Sequence, residues 1–495
     1  MHWIDFLIFL LFTGGIVVYG CSFWRRHASA DDFTRAGAGV PGWVAGMSIF
    51  STYVSSISYL GYPGKAYASD WNAFVFSLSI PLASWIAARW FVPFYRRQTS
   101  PSAYAFLEER FGRWARWYAS ACYLLTQVAR IGSITFLLAL PMNVLLGWDI
   151  RAVIVLTSMA IIVYSMLGGV KGVIWADAIQ GIIMIGGALA CLTVLLFSMP
   201  EGPGQTFTMA WNEGKFSLGS MELTTLSQST FWVCLVYGIF TNLQNYGIDQ
   251  NYVQRYLAAR SDRAARFSAL FGGWLFIPVS AVFFLIGTAL YTFYAVHPDM
   301  LPAEGVKADY VFPYFIVHQL PVGFTGLLIA SIFAAGMSTV STSITSGATV
   351  VLTDYYKPLG GARADNRRQM QVLRLSSVVI GVLGMLIALA LVGVDSILDA
   401  WWKLSSVFSG GMLGLFLLGI MSRRVRHLDA VIGVVCGVVV IGWISAAEWL
   451  RLPATGIHEY LAIVFGTLVI FLVGFLGALC IPRLRSFWRS SASEK

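Results

Sequence analysis

Long runs of apolar residues, separated by short polar segments, recur from one end of the chain to the other. The limits of thirteen such runs are 4–24, 41–64, 71–95, 117–145, 150–168, 173–198, 229–250, 267–294, 322–351, 373–393, 398–421, 428–450 and 458–481. A helix needs ~20 apolar residues to cross a bilayer, and these runs reach that length without the two-residue alternation and ~10-residue period of barrel strands. A helix satisfies its own backbone groups inside hydrocarbon. The pattern therefore predicts an all-α membrane protein with thirteen transmembrane helices. Two outer loops, about 199–228 and 295–321, are long, and the inner segments 98–116 and 354–372 are expected to be helical or partly ordered.

Composition agrees. Of the 495 residues, 57% are hydrophobic and 12% charged, with a mean hydropathy of +0.71. A soluble domain carries about 45–50% and about 25%, so an ordinary soluble enzyme and a disordered chain are both excluded. The formal net charge of +9 reads as a loop bias and not as a nucleic-acid footprint. Of 33 Lys and Arg, 25 fall in one alternating set of loops, Arg255 among them, five in the other set, and three (Arg89, Arg130, Lys403) within spans. The positive-inside rule then places the N-terminus outside and the C-terminus in the cytoplasm. All six cysteines lie in apolar runs without metal-ligand spacing, so disulfides and zinc are not expected. The N-terminal run has no basic flank or small-residue cleavage site and reads as a retained span. No appended catalytic or signalling domain is expected, and no obligatory protein partner is evident.

Polar groups at bilayer depth mark function. Ser48, Ser51, Thr52, Tyr53, Ser55, Ser56 and Ser58 crowd the second run, followed by Gly61, Pro63 and Gly64. That density predicts an interrupted helix with free carbonyls. Thr241, Asn242, Gln244, Asn245, Gly247, Asp249, Gln250 and Asn251 occupy the seventh run. Asn242, Gln244 and Asn245 are deep enough to line a cavity, and some of the others can mark the inner membrane surface. Ser338, Thr339, Ser341, Thr342, Ser343, Thr345 and Ser346 follow Ala334, Ala335 and Gly336 in the ninth run. Ser338, Ser341 and Thr342 share one helix face, and hydroxyl and carbonyl oxygens suit Na⁺ better than transition metals. Asp177 either neutralises a bound cation or pairs with Lys171. Arg130 requires a fixed acid or a substrate anion, since an unpaired buried guanidinium is costly. Lys403 has Asp399 four residues earlier for an ion pair, and Arg89 snorkels to the inner surface.

Leaving out the first run and the last two gives ten spans, five and five, each set opening with a polar, glycine-interrupted helix. An odd number per set inverts one half relative to the other, which points to an inverted-repeat secondary transporter with its site at mid-membrane. The units are 1–40 (leading helix and inner linker), 41–228 and 229–421 (the two five-helix repeats) and 422–495 (two trailing helices and a cytoplasmic tail).

The segments SIFSTYVSSISYLGYPGKAY (48–67), SAYAFLEERF (102–111), GGVKGVIWADAIQG (168–181), DQNYVQRYL (249–257) and IFAAGMSTVSTSITS (332–346) give the chain a nearly end-to-end resemblance to the sodium:solute symporter family. Within it the chain looks most like the bacterial sialic acid transporters, with the galactose transporters more distant. The resemblance implies a LeuT-type 5+5 fold with one leading and two trailing helices. It also implies a general Na⁺ site at the carbonyls of Ser51, Val54 and Ala335 and the hydroxyls of Ser338 and Thr339. A second Na⁺ site is implied at Asp177, Ser338, Ser341 and Thr342. Arg130 would bind the substrate carboxylate, with Ser55, Ser58, Asn242 and Asn245 available to its polar groups. Tyr53 and Ser77 stand where that branch has threonine and glutamine, so the pocket is narrower and a smaller acidic sugar or another monocarboxylate fits about as well.

The expected function is secondary active import of a small organic solute, an acidic sugar or another monocarboxylate, with two Na⁺ by alternating access in the cell inner membrane. The alternative is Na⁺-coupled symport of a neutral sugar, with Arg130 paired internally. All six histidines lie at span ends or in loops, which argues against an enzyme. The asymmetric, closed site argues against a channel.

Overall fold

The computed structural model describes residues 2–493 except 27, 28, 99, 303–306, 362–364, 394–404, 406–410, 447–452, 454 and 455. The expected Asp399–Lys403 pair lies outside the described residues. Those residues form helices throughout, with one isolated bridge, Val40 to Ala259, as the β-type pairing among them.

The chain opens with α1 (Trp3–Cys21). An interrupted helix follows, α2 (Gly42–Tyr53) and α3 (Tyr62–Ala68), joined through a wide turn at Ile57–Gly61. Next come α4 (Asn72–Arg96) and α5 (Arg113–Leu146). The 48-residue run Ile150–Phe197 is two legs, α6 (150–168) and α7 (170–197), which meet at Gly169 with φ 55 and ψ −169. Only glycine adopts that conformation readily. A second interrupted helix, α8 (Phe231–Ile248) and α9 (Gln250–Ala258), precedes α10 (Asp262–Val296). Then follow α11 (Ala308–His318), α12 (Phe324–Val350), α13 (Asn366–Ala390), α14 (Gly411–Met421), α15 (His427–Ala446) and α16 (Ala462–Ser493). The two long loops carry α11 and a helix at Pro203–Asn212, and the segment near 100 carries one at Ala105–Phe111.

Burial sorts the helices. The apolar window of α1 is 17% buried, and Trp3, Leu11 and Val18 point outward. That of α12 with its extension to Tyr356 is 94% buried, so the hydroxyl-rich helix is the axis of the molecule. Asp5 on α1 accepts from the amides of Gly323 (2.7 Å) and Gly326 (3.0 Å). A carboxylate there satisfies free N–H groups at the start of α12 and complements its dipole. On the other flank α2 lies close against α10. A Cβ on Gly272 would stand 2.8 Å from the carbonyl oxygen of Gly46, the small-residue contact by which membrane helices approach.

The two interrupted helices meet at one end, where α2 begins and α9 ends. The amide of Val40, just before α2, donates to Ala258 O (3.0 Å), and the amide of Arg260 donates back to Val40 O (2.9 Å). Arg96 at the end of α4 donates to the carbonyls of Tyr256 and Ala259, both 2.9 Å, capping α9.

Candidate functional site

Serine and threonine in a helix usually return their hydroxyls to the preceding turn. In α12 several do so and also reach across to α2. The helix breaks at Val54 (φ −74, ψ 104), which frees carbonyls in its last turn. Ser338 Oγ donates to Ser51 O (2.9 Å) and to Ala335 O (3.0 Å). Thr339 Oγ1 lies 3.2 Å from Thr52 O and from Ala335 O. Ser51, Val54, Ala335, Ser338 and Thr339 are all fully buried. Four oxygens of the expected general Na⁺ set, those of Ser51, Ala335, Ser338 and Thr339, thus converge between the broken helix and the axis.

A second cluster lies nearer the start of α2, toward its meeting point with α9. Asp177 Oδ2 accepts from Ser48 Oγ (2.7 Å) and from Thr342 Oγ1 (3.2 Å). It also forms a 3.0 Å ion pair with Arg255. Arg255 is 1% exposed, and it further donates to Ser48 Oγ (3.1 Å), to Asn251 O (2.7 Å) and to the Thr342 hydroxyl. Two expectations are corrected here. Arg255 is not a loop charge but a buried guanidinium on α9, and the partner of Asp177 is Arg255 and not Lys171. Asp249, Gln250 and Asn251 are likewise buried and do not mark a membrane surface. The missed signal was periodicity: Asn251, Gln254 and Arg255, at i, i+3 and i+4, give α9 a polar stripe inside the protein. Ser341 Oγ points along α12 to Ser338 O (3.1 Å). Asp177 Oδ1 has no hydrogen-bonding partner among the described residues, and an orphaned carboxylate oxygen beside these hydroxyls suits a hard cation.

Between the interruptions, α5 closes a cavity with about 70 Å³ open to the centres of water molecules. Its lining includes Tyr53, Ser55, Ser58, Arg130, Asn245 and Asp249. Arg130 is half-buried and donates to Thr52 O (3.0 Å), so a freed carbonyl of the break steers the guanidinium. Asp249 holds the amide of Asn251 (2.7 Å) as the N-cap of α9 and shares the cavity wall with Arg130. Thr241 Oγ1, Gln244 Oε1 and Gln127 Nε2 line the cavity too and have no partner among the described residues. Gln127 was not singled out in the sequence, although it sits three residues before Arg130 on one face of α5.

Two expected contacts lie off this lining. Ser77 Oγ pairs with Ser280 Oγ of α10 (2.8 Å). Asn242 takes the Tyr53 hydroxyl on Oδ1 and gives its amide to Ser79 Oγ (2.8 Å) and Phe76 O (3.3 Å). Its hydrogen bonds brace the floor of the site. The Tyr53 ring packs edge-on against Phe276, with centroids 4.7 Å apart, and narrows that floor.

Two interrupted helices around a polar cavity, crossed by a hydroxyl-lined helix, define a cation-coupled secondary transporter. Residues 33–437 match the sodium:solute symporter family, and the chain belongs to that family. It is 34% identical over 441 residues to a sodium/sialic acid symporter of Proteus mirabilis, covering 88% of each chain. To a sodium/sialic acid symporter of Aliivibrio fischeri it is 32% identical over 478 residues, covering 96% of this chain and 93% of the other. The structure of a Na⁺-coupled sialic acid symporter, substrate-bound and outward-open, superposes with a TM-score of 0.90 at 32% identity, covering 97% of this chain and 98% of the other. The protein is a multi-pass membrane symporter coupled to Na⁺ and not an enzyme.

Proposed function

We propose that the chain imports an acidic sugar of the sialic acid class, or a smaller monocarboxylate, together with two Na⁺. The observation that carries the reading is Arg130, held by the freed Thr52 carbonyl (3.0 Å) at the wall of the cavity between the interrupted helices. Arginine offers a planar fork matched to a carboxylate. Ser55, Ser58, Asn245, Gln244 Oε1 and Thr241 Oγ1, the last two without a partner among the described residues, are there for hydroxyl and amide groups. The general Na⁺ set is Ser51, Val54, Ala335, Ser338 and Thr339, and the second is Asp177, Ser338, Ser341 and Thr342. Similarity to two sialic acid symporters over most of the chain supports the same solute class.

Counted with the two interrupted helices, Gly411–Met421, and 150–197 divided at Gly169, the helices make thirteen crossings. They comprise a leading helix, two inverted LeuT-type repeats (41–228 and 229–421) and two trailing helices. The Lys/Arg bias orients the N-terminus outside and the C-terminus inside, in the cell inner membrane. Na⁺ fixes the break in α2 in the outward-open state, the solute binds, the repeats rock, and Na⁺ leaves inward. Each Na⁺ supplies ~2.3 kcal/mol at ~100 mV and about 1.4 for a tenfold gradient. Two supply roughly 7 kcal/mol, less about 2.3 for carrying a monoanion inward.

Asp249 on the same cavity wall favours one second reading, neutral-sugar symport with Arg130 neutralised internally. Na⁺-dependent thermal stabilisation of the purified chain separates the two, since a ligand that binds the native state raises Tm. An acidic sugar should stabilise the wild type only with Na⁺. Arg130→Ala should lose that shift, a cost of ~2–5 kcal/mol in binding. A neutral sugar that stabilises both chains equally would replace the first reading with the second.

A further inference from the structure

Gln127 lies on α5 three residues before Arg130, so the two share a face of that helix, and both line the cavity between the interrupted helices. Gln127 is fully buried. The two ends of its amide are in different circumstances. Oε1 accepts from Ser343 Oγ on α12 (2.8 Å) and from Asn251 Nδ2 on α9 (3.0 Å). Asn251 is itself oriented, because its Oδ1 takes the hydroxyl of Tyr123 on α5 (2.9 Å). Nε2 has no partner among the described residues.

Any acceptor of that length would serve Ser343 and Asn251. Were those two bonds the whole task of residue 127, its NH₂ group would be pure cost, since a buried donor without an acceptor forfeits the hydrogen bonds it made to water. The free end calls for an acceptor from the cavity it borders. Its neighbour on the helix face, Arg130, is another donor and is steered by Thr52 O (3.0 Å). Asp249, the carboxylate on the same wall, is engaged as the cap of α9, where it accepts from the amide of Asn251 (2.7 Å). Two donors one helical turn apart, one charged and one neutral, match a free carboxylate, which accepts at two oxygens.

We propose that Gln127 is a solute-binding residue, the second donor to the carboxylate that Arg130 anchors. The guanidinium supplies the charge, and Nε2 takes a lone pair that the guanidinium leaves over and so fixes the angle at which the carboxylate sits. Because α9 and α12 hold Oε1, the donor is set before the solute arrives, and little side-chain freedom is lost on binding. The ligand selected is a free carboxylate; an ester lacks the charge that strengthens such hydrogen bonds. The inference rests on the acidic-solute reading above.

The test measures Na⁺-dependent stabilisation of the purified full chain by N-acetylneuraminic acid, titrated to give an apparent Kd, beside the Na⁺ midpoint of Tm without solute. Gln127→Met keeps the length and removes the donor. It should weaken the acid at least about tenfold, the scale of a hydrogen bond to a charged group, and leave the Na⁺ midpoint where it is. Gln127→Glu keeps an acceptor for Ser343 and Asn251 and replaces NH₂ with an oxygen; the acid should no longer stabilise it. Should Gln127→Met not fold, Gln127→Glu decides alone. An acid affinity in Gln127→Met equal to the wild type, or stabilisation of Gln127→Glu at the wild-type Kd, overturns the proposal. So does a Na⁺ midpoint that moves as far as the acid affinity, because a glutamine that only braces α12 would disturb the ion-bearing helix and the solute together. Arg130→Ala separates the two levels. If it binds the acid as the wild type does, or if the acid stabilises neither, the acidic-solute reading fails and takes this inference with it. If Arg130→Ala loses the acid while Gln127→Met keeps it, the reading stands and Gln127 is no ligand.

Discussion

Ser338 occupies a position where one hydroxyl serves two helices, donating to Ser51 O on the broken α2 and to Ala335 O on its own α12. A cation among those oxygens is held by the same groups, so Ser338→Ala removes a ligand from either proposed set while leaving a small residue on a packed face. The loss of one such contact is worth about 1 kcal/mol. We therefore expect the Na⁺ concentration for half-maximal stabilisation to rise roughly five- to tenfold, read by Na⁺ titration of Tm; an unchanged midpoint would remove Ser338 from both sets. At this scale the sequence was informative where polar side chains are dense. Hydroxyls in the second and ninth apolar runs and the lone Arg130 stand out against hydrocarbon, and the structure gathers them around the break. It was silent on Arg255, because a basic residue after a span resembles an ordinary inner-loop charge until the chain is folded back over it. Ser77 and Asn242 mark the opposite limit. Their types suit a sugar site, yet which way a side chain turns depends on neighbours distant in sequence, here Ser280 and Tyr53.

Among the elements, the hinge at Gly169 joins two legs that would otherwise read as one helix. Its φ of 55 and ψ of −169 lie in a region that a Cβ makes costly by ~1–3 kcal/mol. Gly169→Ala should accordingly lower Tm by several degrees without altering the Na⁺ midpoint of the folded fraction. A Tm equal to the wild type would mean that the turn tolerates a side chain. Glycine and charge punctuation made this hinge readable, and the expected spans 150–168 and 173–198 fall on its two legs. The break in α2 was readable from polar density. The second break was harder to place, since Asp249 looks like a membrane-surface acid. In the fold it caps α9 from within the protein, and α9 is short, polar and buried, a combination that hydropathy alone assigns to a loop.

For the molecule as a whole, membrane composition and the alternation of basic loops outline the architecture before any contact is known. What they cannot convey is closure: the Val40–Ala259 bridge and the Arg96 cap arise only when the two halves meet. Those contacts close one end of the interrupted helices while leaving the cavity polar, and a carrier needs that asymmetry to tie ion binding to the opening of one face. The central claim is that Na⁺ drives an acidic sugar through a site anchored by Arg130. The most direct measurement is uptake of labelled sialic acid into proteoliposomes containing the full chain. Accumulation should require an inward Na⁺ gradient, rise with an inside-negative potential because two Na⁺ and one monoanion carry net positive charge inward, and vanish in Arg130→Ala. Accumulation without Na⁺, or undiminished uptake by Arg130→Ala, would contradict the account.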